Sequence, residues 1–177
     1  QAITQQVGRS SRVLELGAGD GLHTHQLART SDRVIALDVS ETALEVNQQR
    51  APGRIRGVCA DMAALPFGDA TFDVVASAGS LSYGDPDTVN REIFRVLRPG
   101  AALIIVDSLN HNPLYRLNRW RHYRRGDRTR STLLRMPDMN RIRSLSAPFD
   151  SCSVEYFGRY LFMHPPLSRI VGLNRAT

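Results

Sequence analysis

Short apolar runs alternate with stretches of helical spacing between residues 12 and 107. The runs predict five buried strands, at residues 12–16, 33–38, 55–59, 72–76 and 101–106. Three helices are predicted between them, over residues 22–29, 40–50 and 86–97. Strands and helices that alternate at this spacing predict an α/β domain, with a mostly parallel sheet and helices on both faces.

The pattern changes after Asp107. Residues 110–143 are polar and contain no clear strand pattern, although residues 114–123 are compatible with a helix. Strand-like sequence returns at residues 152–157 and, with a weaker pattern, at 160–163. We therefore expect one domain over residues 1–177, with an Arg-rich insertion or lid at residues 108–150.

The 177 residues suit a single α/β domain. Neither a signal peptide nor an apolar run of about 18 residues is present, so the expected location is the cytoplasm, without a transmembrane segment. The spacing of Cys59 and Cys152 matches no metal or redox motif, which favours two reduced thiols and no metal site. Because the chain begins at Gln1 and reaches strand-like sequence by Arg12, we expect the intact protein to have a longer N-terminus.

The positive charge of the chain is concentrated in one segment. All 23 basic residues are arginines, and ten of them lie in residues 116–143 beside only two acids, Asp127 and Asp138. This segment therefore carries a charge of +8. Because the whole chain has a net charge of +6, the remainder carries −2. Such clustering requires a local explanation, for example an anionic ligand or surface.

A glycine-rich turn follows the first predicted strand, in the sequence Glu15-Leu16-Gly17-Ala18-Gly19-Asp20-Gly21. Glycines at this place let the backbone approach a ligand closely before a helix begins. In the dinucleotide pattern G-x-G-x-x-G the third glycine would fall at position 22, which is Leu22 here. The spacing therefore disfavours a nicotinamide or flavin cofactor.

Two acids follow the next two strands. Asp38 ends the second strand, where a carboxylate can accept both hydroxyls of a ribose, and Asp61 follows the third, where a carboxylate can accept an adenine amino group. Each acid taken alone is equally compatible with a solvated loop residue or a helix cap. Together with the glycine turn, they favour a nucleoside-binding edge of the sheet.

Residues 12–107 resemble the class I S-adenosylmethionine-dependent methyltransferases, in particular those that act on small molecules. Five blocks carry the resemblance, at residues 13–21, 34–40, 60–67, 72–75 and 95–100. The resemblance implies a Rossmann-like methyltransferase fold with seven strands in the order 3-2-1-4-5-7-6 and the last strand antiparallel. It also implies S-adenosyl-L-methionine as the cofactor.

The resemblance further implies roles for residues at matching positions. Gly17 and Gly19 would approach the methionine and ribose portions, and Glu15 would support the methionine end. Asp38, followed by Val39, would bind the ribose, and Asp61 would bind adenine with Met62 beside the ring; core packing is the alternative for Met62. Ser77 and Ala78, after the fourth strand, would flank the methyl group and its acceptor.

A hydroxyl acceptor would benefit from a general base, because a neutral alcohol is a poor nucleophile. His111 is the best candidate since imidazole titrates near neutral pH, although a loop histidine or one that tethers the backbone, without a catalytic role, suits the pattern better. Tyr83 is a second candidate, and a role as a pocket wall suits it better than a role as base.

Four interpretations of the Arg-rich segment remain open. It could hold an anionic acceptor, bind nucleic acid, contact an anionic membrane surface peripherally, or form a solvated helix face. A looser likeness over residues 108–137 to bacterial methyltransferases of surface-polysaccharide and other specialised biosynthesis favours a small-molecule or glycan acceptor. Nucleic acid is the least favoured partner.

The sequence therefore predicts a methyltransferase that acts on a small-molecule or glycan acceptor in biosynthesis, with oxygen as the expected methylated atom. One alternative is an RNA methyltransferase, but residues 77–80 read Ser-Ala-Gly-Ser, which does not resemble the Asn-Pro-Pro-Tyr motif of amino-nitrogen methylation. The other alternative is a non-catalytic cofactor-binding domain of a larger assembly.

Overall fold

A computed structural model describes residues 7–107, 120–121, 123–125, 131, 134–157 and 167–171. Seven strands form one sheet in the order β3-β2-β1-β4-β5-β7-β6, which confirms the predicted order. The strands are β1 (Arg12–Leu16), β2 (Arg33–Asp38), β3 (Ile55–Cys59), β4 (Phe72–Ala78), β5 (Leu97–Asp107), β6 (Ser153–Phe157) and β7 (Leu167–Val171).

The strands β1 to β5 pair in parallel, and β7 runs antiparallel to both β5 and β6. The resemblance predicted an antiparallel last strand, and the structure has this strand at residues 167–171. The strand predicted from the local pattern at residues 160–163 lies outside the described residues. With β7 inserted between β5 and β6, all the strands except β7 share one direction.

The longer helices of the described part are α1 (Thr24–Thr30), α2 (Glu41–Arg50), α3 (Pro86–Val96) and α4 (Met139–Ser146). Ser40 begins α2 as predicted, because its hydroxyl accepts the Ala43 N–H at 3.2 Å. Asp85 caps α3 in the same way through the Thr88 N–H, and Asp138 caps α4 through the Arg141 N–H. The helix α4 was not predicted, because it lies at the end of the Arg-rich segment.

The two faces of the sheet are covered by different helices, as the strand–helix alternation predicted. One buried cluster joins Leu14 and Leu16 of β1 to side chains of α3 and α4, among them Ile93 and Leu145. The other cluster joins the remaining face of the same strands to α1 and α2, where Leu27 and Leu44 are buried. Side chains of opposite faces therefore alternate along β1, as the period of a strand requires.

The junction of α3 and β5 differs from the prediction. Helix α3 ends at Val96, and β5 begins at Leu97 instead of at Ala101. Leu97 already pairs with Phe72, and the register then shifts so that Val74 pairs with Ala102. Pro99-Gly100 therefore lies in an irregular part of the strand pair, where Gly100 has a φ of 74°.

Candidate functional site

The carboxyl ends of β1 to β4 gather the predicted binding residues at one edge of the sheet. A cavity of about 420 Å³ opens there. Its wall contains five of the predicted residues, Gly17, Asp38, Val39, Asp61 and Met62. Tyr83 also lines it, together with the unpredicted Leu37, Ala60, Ser80 and Gly84.

The three glycines of the turn all have positive φ values, of 63° for Gly17, 53° for Gly19 and 90° for Gly21. A Cβ on Gly17 would lie 2.3 Å from the Cβ of Ser80, and one on Gly21 would lie 2.6 Å from Oδ1 of Asn47. A Cβ on Gly19 would meet nothing within 4 Å. Both the lack of space and the positive φ therefore require glycine at positions 17 and 21. At position 19 only the positive φ favours glycine.

Asp38 fixes the glycine turn and keeps acceptor capacity for a ligand. One carboxylate oxygen accepts the Gly19 N–H at 2.8 Å, and the other accepts the Ser40 N–H at 2.9 Å. A carboxylate offers about four lone-pair sites, so two remain for hydroxyl donors in the cavity. Asp61 is exposed, and one of its oxygens accepts the Ala63 N–H at 2.8 Å.

Apolar side chains form the rest of this cavity. Met62 is only 8% exposed and belongs to the buried cluster on the α3 side, so it both packs in the core and lines the cavity. Val39 is 71% exposed and Tyr83 is 62% exposed. Exposed apolar groups at a cavity rim are suited to cover a flat aromatic ligand.

A smaller cavity of about 70 Å³ lies beside Glu15, Ser77 and Ala78. Glu15 is 2% exposed, and its Oε2 has no hydrogen-bond partner within the part of the chain that the structure describes. Burial raises the pKa of Glu15 to about 7, against a smaller opposing effect of the Thr24 hydroxyl. Glu15 is thus a buried carboxyl that lacks a donor or cation on one oxygen.

A hydrogen-bond chain connects Glu15 to the glycine turn through residues that sequence reasoning missed. The Asn47 amide donates to the Gly19 carbonyl at 3.3 Å and to the Thr24 hydroxyl at 2.9 Å. Thr24 in turn hydrogen-bonds Glu15. The sequence signal for Asn47 was a polar residue on the face of α2 that packs against the sheet. The structure buries this residue completely.

A second chain connects the ends of β4 and β1. The Ser80 hydroxyl donates to the Leu16 carbonyl at 2.7 Å, and the Ser77 and Ser80 hydroxyls lie 2.7 Å apart. Because the Ser80 proton points to Leu16, the Ser77 hydroxyl donates to Ser80. Ser80 therefore belongs to the site through its contact with Gly17, although nothing in the local pattern distinguishes it from its neighbours.

Of the two candidate bases, Tyr83 lies among the described residues and His111 does not. Tyr83 lies on the cavity wall, where its backbone N–H donates to the Ser80 carbonyl at 3.0 Å. His111 lies outside the described residues, so its role stays a prediction. The exposed His23 and His25 belong to no group of three or more potential metal ligands, and the described part of the chain contains no such group.

The Arg-rich segment is described in part. Arg135 donates to the Tyr83 carbonyl at 3.5 Å, which brings this segment to the wall of the larger cavity. Arg124 stacks over Trp120, with 4.3 Å from its Cζ to the ring centroid. Arg116, Arg119, Arg128 and Arg130 lie outside the described residues. No helix among the described residues is long and apolar enough to cross a membrane.

Comparison with known proteins shows to which family the chain belongs. A family model described as a methyltransferase domain matches residues 14–105, which is more than half of the chain. The chain is 39% identical over 99 residues to a demethylmenaquinone methyltransferase of Clavibacter sepedonicus, covering 54% of this chain and 40% of that protein. It is 33% identical over 124 residues to an O-methyltransferase of Penicillium expansum, covering 63% and 45%.

A solved methyltransferase structure from Methanosarcina mazei, described as S-adenosylmethionine-dependent, has the same fold. Its TM-score is 0.71 at 20% identity, with 99% of this chain and 97% of that chain covered. At this identity the likeness concerns the fold alone. The chain spans less than half the length of the two curated relatives above.

Proposed function

This chain belongs to the methyltransferase domain family, and from that premise we propose that it transfers a methyl group from S-adenosylmethionine to a small-molecule acceptor. The observation that carries the proposal is the 420 Å³ cavity at the carboxyl ends of the parallel strands, where Gly17, Asp38 and Asp61 meet. Ligands bind at this edge of open α/β sheets as a general rule.

The described residues fit this cofactor in size and in chemistry. Asp38 has unused acceptor sites for the ribose hydroxyls, and Asp61 has a free oxygen for the adenine amino group. Met62 and Val39 offer apolar surface for the adenine ring. The unpaired oxygen of Glu15, beside Ser77 and Ala78, suits the ammonium group of the methionine end.

When bound, the cofactor supplies a methyl group attached to a positively charged sulfur, and a nucleophile that attacks the methyl group in line displaces the sulfur. The chain's own residues have to orient the two reactants and exclude water, because alignment alone lowers such a barrier substantially. The glycine turn would hold one reactant through the backbone, and Tyr83, whose carbonyl accepts a hydrogen bond from Arg135 of the Arg-rich segment, forms part of the cavity wall. No dedicated catalytic residue is obligatory for this chemistry.

For the acceptor we propose a small molecule or glycan that is methylated at oxygen in a biosynthetic pathway. An alcohol would need a base, with His111 as the first candidate and Tyr83 as the second. Tyr83 lies on the cavity wall, which supports at least a positioning role. The arginines of residues 116–143 favour an acceptor with an anionic group.

Calorimetric titration with S-adenosylmethionine, S-adenosylhomocysteine and NAD tests the cofactor assignment. We expect binding of the first two at a one-to-one ratio and none of NAD, because Leu22 replaces the third glycine of the dinucleotide pattern. Tight binding of NAD without binding of the other two ligands would refute the proposal. Mass analysis of acceptor candidates after incubation with labelled cofactor then identifies the methylated class.

A further inference from the structure

Another cavity opens at the edge of the sheet opposite to the candidate functional site. Its volume is about 450 Å³, and the amino ends of β1 to β4 form it together with the residues before β2 and β3. Because these strands are parallel and five to seven residues long, this cavity lies about 15–20 Å from the carboxyl ends of the strands. Four arginines line it, and we call it the arginine cavity: Arg12, Arg33, Arg54 and Arg56.

Three of these arginines project from one face of the sheet, on three adjacent strands. Arg12 lies two residues before Leu14, so both side chains are on the α3 side of β1. Arg33 pairs in register with Arg12 and therefore shares this face. Arg56 pairs in register with Ile35, which packs against the buried cluster of the same face. The strand register thus brings three cationic side chains to one side of the sheet.

The positive charge of the arginine cavity is not balanced within the described part of the chain. Its lining residues include a single acid, Asp32, and therefore carry a net charge of +3. No salt bridge among the described residues includes any of the four arginines, and Asp32 pairs with Arg9 at 3.5 Å instead. Like charges directly opposite each other on neighbouring strands, here Arg12 and Arg33, destabilise a sheet. An anion in the cavity would offset this repulsion.

The contacts of these arginines with the chain leave most of their N–H donors available. The guanidinium of Arg12 lies over the Phe72 ring, with 5.8 Å from its Cζ to the ring centroid. Arg54 donates from Nη1 to a backbone carbonyl of α1 at 3.5 Å. Asp73 accepts the backbone N–H of Arg12, but its salt bridge is with Arg98, at 2.7 Å.

The shape and the charge of the arginine cavity favour a small ligand with more than one phosphate group. Its volume lies in the range of small-molecule sites. No large exposed apolar or aromatic side chain of the described residues lines it, whereas single-stranded nucleic acids stack on aromatic rings and membrane surfaces require apolar groups. Two linked phosphate groups carry about −3 near neutral pH, which matches the charge of the lining residues.

We propose that the arginine cavity binds a diphosphate group, at a site separate from the proposed cofactor site. The planar guanidinium groups present paired N–H donors that match phosphate oxygens. Their positions on neighbouring strands allow several of them to contact two linked phosphates at once. The diphosphate is either free or part of a small ester. This inference does not depend on methyl transfer, because its residues take no part in the proposed reaction.

Inorganic pyrophosphate is the probe, because it carries the diphosphate without a nucleoside that would compete for Asp38 and Asp61. Calorimetry measures its affinity at constant ionic strength and without divalent cations, in the presence and absence of saturating S-adenosylhomocysteine. The test variant is Arg33→Gln with Arg56→Gln. The charge-matched control is Arg124→Gln with Arg125→Gln, which removes two exposed arginines from the Arg-rich segment. Titrations with inorganic phosphate, acetate and uridine diphosphate complete the comparison.

We expect pyrophosphate to bind the wild type at a one-to-one ratio, and the test variant to bind it at least about tenfold more weakly, since charged hydrogen bonds are lost. The control variant should stay within about twofold of the wild type, and so should the wild type with S-adenosylhomocysteine bound. Phosphate should bind at least about tenfold more weakly than pyrophosphate, and acetate should give no saturable signal. Uridine diphosphate distinguishes the two sources: equal or tighter binding than pyrophosphate assigns an ester, and weaker binding assigns free diphosphate.

Three results would overturn the inference. They are the absence of saturable pyrophosphate binding, an equal loss of affinity in the test and control variants, and displacement of pyrophosphate by S-adenosylhomocysteine. If the test variant does not fold, Arg54→Gln decides, because Arg54 lies before β3 and outside every strand of the described structure. This single variant should bind pyrophosphate at least about threefold more weakly, and an unchanged affinity would contradict the site.

Discussion

Two residues with ionisable side chains are buried in different parts of the molecule, Glu15 on β1 and Arg141 on α4. Glu15 belongs to the glycine-turn side, which comprises β1 to β3 with their following loops, α1 and α2. Arg141 belongs to the α4 side, which comprises α4, the start of α3 and the end of β5. They are 2% and 7% exposed, and each has polar side-chain atoms without a partner in the described structure.

The two residues differ in how they tolerate burial. Glu15 can take up a proton, since its pKa is raised to about 7, and Thr24 and Asn47 connect it to the glycine turn. Arg141 keeps its charge, and only carboxylates at longer range compensate it. The glycine-turn side therefore tolerates the burial of its carboxyl group through protonation, whereas the α4 side buries a cation that keeps its charge.

The largest expected effect tests whether the glycine-turn side is rigid. Gly17→Ala should lower the free energy of unfolding by about 3 kcal/mol, because an L residue at a φ of 63° is strained and its Cβ would collide with Ser80. The matched control is Gly19→Ala, which has a similar φ but open space, and should lose about 1 kcal/mol. Urea unfolding without ligand measures both. Equal losses would show that the turn adjusts to added side chains.

The pH dependence of stability tests whether Glu15 is neutralised by burial. Its pKa is about 7 in the folded chain, against an ordinary value of 4.5, so the folded state holds the proton more tightly than the unfolded state. The resulting stabilisation is complete below pH 4.5 and is lost as pH rises through 7, by roughly 3 kcal/mol in total. The comparison is urea unfolding of the wild type and Glu15→Gln between about pH 4.5 and 8.

Glu15→Gln lacks this titration, so its stability relative to the wild type should increase over the same pH range. Groups that titrate elsewhere in the chain cancel in the difference between the two proteins. A difference that stays constant with pH would mean that Glu15 is ionised in the folded state. The contrast with Arg141 would then be wrong, since both residues would remain charged when buried.

A substitution of Asp38 tests whether the glycine-turn side binds the cofactor. Asp38→Ala should weaken S-adenosylhomocysteine binding by about 1.5–3 kcal/mol, since a charged acceptor of ligand hydrogen bonds is lost together with its bond to Gly19. Asp20→Ala is the control in the same turn, because Asp20 makes an exposed pair with Arg50 at 2.8 Å and lines none of the cavities described above. Calorimetry gives both affinities. An Asp38→Ala affinity within twofold of the wild type would make Asp38 a structural residue only.

The sequence predicted the glycine-turn side far better than the α4 side. The strands β1 to β4 and the acids at their ends follow from local apolar runs and short loops, since parallel strands carry their binding residues at one edge. Asn47 and Ser80 were missed because their roles depend on contacts with Gly21 and Gly17, across 26 and 63 residues of sequence.

On the α4 side, local pattern and burial disagree. Residues 139–146 carry two arginines, which in sequence resemble the exposed arginines before them. The structure buries Arg141 and exposes Arg143, and only the packing of α4 against α3 separates them. For β7 the resemblance implied an antiparallel last strand between β5 and β6, but the apolar pattern predicted that strand at residues 160–163, whereas the structure has it at Leu167–Val171.

The smallest effect concerns the exposed arginines of the segment that precedes α4. Neutralising Arg124 and Arg125 together to Gln should raise the Michaelis constant for an anionic acceptor a few-fold and reduce its dependence on salt, because exposed charges act through a screened field. Cofactor affinity should change by less than twofold, since we propose that this ligand binds at Asp38 and Asp61, on the glycine-turn side. Arg128, which belongs to the same run, lies outside the described residues.

The measurement is the acceptor Michaelis constant at three salt concentrations, beside calorimetry with S-adenosylhomocysteine. Arg29→Gln serves as the control, because Arg29 is an exposed arginine at the end of α1, on the glycine-turn side. If the two variants change the salt dependence equally for each charge removed, the effect comes from net charge and not from the position of the arginines.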